Sequence, residues 1–123
     1  MSRLVLLVAV AAVSLLCAAS AGASPSVHAA GKCHLSGHDQ RHSGASYLTS
    51  LSVKHTSCST GKAVVRAFNA CRHASGGAGG HCHHRVKGYS CSEHRAGISV
   101  QYDSTTNCSR GSRRVHFTYT QNT

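Results

Sequence analysis

The sequence predicts a small α+β domain stapled by disulfides, with one helix packed on an antiparallel sheet of about four strands. Three observations predict it. Six cysteines, Cys33, Cys58, Cys71, Cys82, Cys91 and Cys108, follow an N-terminal stretch that reads as an export signal, and an even cysteine count in a short exported chain implies three bridges. Val64, Ala67, Phe68 and Cys71 recur at i, i+3, i+4 and i+7, the stripe of a half-buried helix. Before and after that stripe, apolar residues alternate with polar ones, the period of a strand with one covered face.

The export signal has its three parts in order: Arg3, an apolar run over residues 4–16, and small residues up to Ala23. Ala21-Gly22-Ala23 supplies the small side chains that cleavage after Ala23 requires. A run of thirteen residues is shorter than the roughly 20 that a spanning helix needs. Leu16 is also too bulky to precede a lipid-modified Cys17. The mature chain is therefore expected to be secreted, without Cys17 and without a transmembrane anchor. Twelve basic side chains then face three acidic ones, a formal charge of +9 with all eleven histidines retained.

Residues 24–45 read as a flexible, histidine-rich N-terminal segment and residues 46–123 as the stapled domain. Within the first, the polar stretch from Cys33 to Gly44 reads as loop. Tyr47, Thr49, Leu51 and Val53 alternate with Leu48, Ser50, Ser52 and Lys54 as a strand. Ser57 or Ser59 is placed to cap the helix, Lys62 and Arg66 fall on its solvent side, and Arg72 and His73 suit the negative end of its dipole. The Ser/Gly-rich residues 75–80 read as a flexible surface loop. Residues 86–91 read as a short strand. Ile98, Val100 and Tyr102, then Val115, Phe117 and Tyr119, read as two paired strands connected through residues 103–114.

Two Phe, four Tyr and no Trp make a thin core, set against about 100–200 kcal/mol for ordering a hundred residues. Covalent closure offsets part of that cost. A Cys71–Cys82 bridge, the pairing we favour, closes a loop worth roughly 3 kcal/mol. Six cysteines otherwise allow 15 connectivities.

Several segments together resemble a group of small secreted, cysteine-containing proteins of high-GC Gram-positive bacteria. They are Ser57-Cys58, then Lys62, Val65 and Ala70-Cys71-Arg72, then Cys82 and Val86-Lys87-Gly88-Tyr89-Ser90-Cys91. Tyr102-Asp103, Cys108, Gly111, Arg113-Arg114-Val115 and the ending Tyr119-Thr120-Gln121-Asn122-Thr123 complete the set. The resemblance implies export and disulfides and carries no activity. The chain departs from the group in its histidine load.

Those histidines define the candidate chemistry. His81, His83 and His84, with His73 before them, are candidate ligands for Zn, Cu or Ni, metals that neutral imidazole binds well. A disulfide at Cys82 would leave no thiolate to join them. His34, His38 and His42 are spaced by four, but Ser36 and Gly37 disfavour the helix that this alignment needs. Protonated in acid, the histidines would add charge to an already basic surface. Arg110, Arg113 and Arg114, with His116 beside them, form the candidate anion-binding cluster. The partners it suits are anionic cell-wall polymer, polysaccharide or nucleic acid.

A binding role is thus the first expectation. A small ribonuclease using His42 and His116 is the alternative from another class, since two histidines and a lysine can do acid–base work on RNA. An inhibitor of secreted enzymes is a third reading without an identifiable reactive loop. Asp39, Glu93 and Asp103 are too few for a paired-carboxylate hydrolase, and Glu93 is placed to pair with Arg95.

Overall fold

The helical stripe folds as its spacing requires. In the computed structural model, which describes residues 30–123, helix α2 spans Cys58–Ala74. The expected export signal over residues 1–23 lies outside the described residues. Ser57 rather than Ser59 is the cap, its hydroxyl accepting from the Thr60 amide at 3.1 Å. Val64, Val65, Phe68 and Cys71 are buried, while Arg66 faces solvent. Both ends of α2 are tied down, by Cys33–Cys58 at the start and Cys71–Cys82 near the close. Gly61 lets α2 lie close to the sheet, since a methyl group there would meet the Val53 side chain at 2.7 Å.

Beneath α2 lies one antiparallel sheet of five strands rather than about four. They are β1 (Gly31–Lys32), β2 (Tyr47–Lys54), β3 (Ser90–Ile98), β4 (Gln101–Arg110) and β5 (Arg113–Asn122), in the order β1-β2-β5-β4-β3. The fold is therefore the expected α+β domain, with its C-terminal strands redrawn. Ile98 and Val100 do not share a strand. They flank the tight β3–β4 turn and are 70% and 61% exposed. Residues 103–110 belong to β4 instead of forming a connection. No apolar alternation marks this strand because Ser104 and Thr106 occupy its core-facing positions, followed by Cys108. The stretch read as a strand over residues 86–91 is a tight turn first. Val86 and Tyr89 exchange backbone hydrogen bonds around Lys87 and Gly88, both with positive φ.

The N-terminal segment is a second correction. From residue 30 onward it is built into the fold: β1 pairs with β2, the Cys33 amide donates to the Leu51 carbonyl at 2.8 Å, and Cys33 is buried and bridged. A short helix α1 (Gly37–Arg41) follows. Ser36 and Gly37 permit it because they are its cap and first residue, where neither costs what it would mid-helix. Ser36 and Asp39 close a reciprocal capping box, and Asp39 also takes a 2.8 Å ion pair from Lys62 of α2. The glycine-rich loop is likewise ordered, with a 3-10 turn over Gly77–Gly79.

What orders that loop is the polar part of the core. Arg72, fully buried, donates to Asn69, to the Ala78 carbonyl, to the Tyr102 hydroxyl and to Gln121, and lies 4.9 Å over the Tyr119 ring. Arg95 reaches the Gly79 and Gly80 carbonyls. It also pairs at 2.8 Å with Glu93, whose carboxylate accepts from the Tyr119 and Ser104 hydroxyls. Burial alone would raise the Glu93 carboxyl; the hydrogen bonds from Arg95 and Tyr119 and the charge of Arg95 outweigh it and hold the group below the ordinary range. Tyr119 is pushed far above the usual phenol range by burial and by its bond to Glu93. A third bridge, Cys91–Cys108, joins β3 to β4, so the six cysteines pair consecutively, first with second, third with fourth and fifth with sixth.

Candidate functional site

Strand alternation sends Leu51, Val53, Val115, Phe117 and Tyr119 toward α2, and their neighbours to the opposite face. α2 covers the other face only, α1 reaches this one at its β1 edge through Gln40, and none of the side chains on this face is buried. It is a floor of short hydroxyl and amide side chains. Ser50 and Thr118 are hydrogen-bonded at 2.6 Å across β2 and β5, and Thr120 donates to Asp103 at 2.6 Å near one end.

The register sets the other groups in rows. Lys32, Ser52, His116, Asn107 and Ser92 are direct partners across all five strands, and so share one line and one face. The adjacent row is Lys54, Arg114, Ser109 and Ser90. Three permanent cations therefore lie around His116, and Asp103 stands two rows away from it toward the opposite end of the sheet.

His116 is oriented. Its Nδ1 lies 2.7 Å from the Asn107 carbonyl oxygen, which can only accept, so Nδ1 carries the proton. In the neutral ring this leaves the Nε2 lone pair facing away from Asn107. Two shallow grooves flank the ring. One, about 510 Å3, runs toward β3 past Ser92, Asn107 and Arg114. The other, about 500 Å3, runs toward β1 and holds Lys32, His34 and Gln40.

The expected anion-binding cluster is thus split. Arg114 and His116 share the open face, whereas Arg110 and Arg113 pair with each other at the hairpin end on the opposite face. Arg110 there leans on the Lys87–Gly88 turn. The structure adds Lys32, Lys54 and Asn107 in exchange. A sequence signal for the first existed: Lys32 and His34 alternate around the buried Cys33, the period of a strand.

The four metal-ligand candidates do not converge. His73 is held at 2.7 Å by the Gly44 carbonyl, and His81 lies between Glu93 and Arg95. The His81 and His83 rings are 6.0 Å apart, while His84 sits on the Cys71 sulfur at 3.3 Å. The group nearest to a metal site among the described residues is Cys71, Cys82 and His84, whose ligand atoms lie within 4.8 Å of one another. Both sulfurs are spent in a disulfide, so the bridged form offers one imidazole and no thiolate. His38 and His42 do meet, stacked at 4.2 Å, but His34 stands outside α1. His42 is absent from both grooves beside His116, whereas His34 lines the one toward β1.

The chain matches no family model, no curated protein and no solved structure.

Proposed function

We propose that this protein is a secreted binding domain whose open sheet face captures anionic polymer outside the cell, such as cell-wall polymer, acidic polysaccharide or nucleic acid. The observation that carries this reading is the pair of adjacent rows on an uncovered face, Lys32 with His116 and Lys54 with Arg114. Cations on a flat floor of hydroxyls suit a repeating anion, since charge sets attraction and the hydroxyls supply hydrogen bonds along the strand direction. Three disulfides fit an oxidising compartment, which supports export.

Retention on immobilised sulfated polysaccharide tests the reading. The double variant Lys54→Glu/Arg114→Glu is expected to lose at least about tenfold in affinity, more than one decade of electrostatic free energy being reversed. Arg66→Glu, a charge reversal on the solvent side of α2, is expected to lose far less. Equal losses from both would mean that net charge alone governs binding and that the face has no special role.

A further inference from the structure

We propose that the groove between β1 and β5 cleaves RNA, with His116 as general base and His34 as general acid. The inference deepens the reading of this face as a polyanion surface and rests on it.

The placement comes from the register. Lys32 opposes Ser52, and Ser52 opposes His116. Lys32 and His116 are thus two strand spacings apart, about 10 Å between backbones. Cys33 is held inward by its bridge and by its hydrogen bond to Leu51, so in the extended chain Lys32 and His34 both project to the open side. Lys32 and His34 from one side and His116 from the other line a single groove whose floor includes Ser50 and Ser52.

The chemistry of the lining selects the substrate. The groove holds no carboxylate, and its cysteine is in a disulfide, so it contains neither a carboxylate pair nor a thiol nucleophile. Two imidazoles and an ammonium suit a substrate that brings its own nucleophile, and the ribose 2′-hydroxyl next to a phosphodiester is one. His116 is the base because Asn107 holds the proton on Nδ1 and leaves Nε2 free to accept. Nε2 takes the 2′-hydroxyl proton while the 2′-oxygen bonds to phosphorus. The bond from phosphorus to the 5′-oxygen breaks, and His34 gives that oxygen a proton. Lys32 lies alongside to offset charge on the non-bridging oxygens. The products are a 2′,3′-cyclic phosphate and a 5′-hydroxyl. Proton exchange with water resets both rings, and no other reactant is consumed.

The test uses the oxidised secreted protein with a mixed-sequence RNA oligonucleotide and the DNA of the same sequence. Expected are cyclic-phosphate ends on RNA, intact DNA, and a bell-shaped pH profile. His34→Ala and His116→Ala should each lower the rate at least about a hundredfold, while His42→Ala leaves it unchanged. Both active-site substitutions are on the surface, and an oxidised mass with unchanged circular dichroism confirms folding. RNA that is bound but not cut overturns this inference and leaves the binding reading standing. RNA that is neither bound nor cut, with no polysaccharide binding either, overturns both. Cleavage that survives in either single variant assigns the activity elsewhere and also overturns it.

Discussion

The Nδ1 of His116 and the side-chain oxygen of Asn107 lie 2.7 Å apart across β5 and β4, on the face of the sheet that α2 leaves open. Nothing in the core needs this contact. Its effect is to choose one tautomer and one ring orientation for an imidazole between two grooves.

Asn107→Ala should therefore change the ring without changing the fold. The expected result is a mixed tautomer population, read from the imidazole nitrogen shifts above the titration of the ring, where the native protein shows protonation at Nδ1 alone. Thermal stability should move by less than about 0.5 kcal/mol, as for other exposed positions. An unaltered tautomer in the variant would mean that Asn107 does not set it.

Arg72→Met should be among the most damaging single changes. It removes the donors to Asn69 and Gln121, leaving those two side-chain oxygens buried without a partner, and leaves the Ala78 carbonyl with the Tyr102 hydroxyl alone. A loss of at least about 3 kcal/mol in urea unfolding is expected, since each orphaned polar group costs about 1–3 kcal/mol. Arg72→Lys should recover only part of it, because an ammonium cannot reproduce the planar fork. A loss under about 1 kcal/mol would show that the loop over residues 75–80 does not depend on this side chain.

Glu93 sets part of the acid limit of stability. Its carboxyl is held below the ordinary range in the folded state, so it binds a proton more readily when unfolded. The stabilisation is complete above the unfolded value near 4.3. It is lost as pH falls from there through the lower folded value. Asp39, paired with Lys62 and capped by Ser36, shifts in the same direction from the surface. Glu93→Gln should lower stability at neutral pH by about 1–3 kcal/mol and flatten its decline below about pH 4.5. Unfolding midpoints measured across pH 3–7 check this, and parallel curves for the two proteins would contradict it.

How much of this was legible in the sequence depends on what marks each element. α2 was legible because its stripe and cap are local, and β2 and β5 because their apolar alternation is regular. β4 was not, since its inward positions hold Ser104, Thr106 and Cys108, and hydroxyls paired inside a core look like loop residues in a string of letters. The order of the N-terminal segment was hidden for another reason. It depends on a bridge to Cys58 and on pairing with Val53, partners more than twenty residues away. At the site, His116 was visible and its surroundings were not. Arg110, Arg113 and Arg114 are close in sequence, yet strand alternation sends Arg114 to a different face from the other two. Lys32 and Asn107 come to His116 only through register.

If the chain is exported as proposed, the consecutive pairing of its six cysteines bears on how the molecule is made. A chain delivered amino end first from an export channel presents Cys33 and Cys58 before Cys71 has emerged, and Cys71 and Cys82 before Cys91. An oxidant that joins thiols in order of arrival writes the native set directly, and no bond has to be broken to correct another. Of the possible pairings, this one alone needs no reshuffling when oxidation keeps pace with translocation.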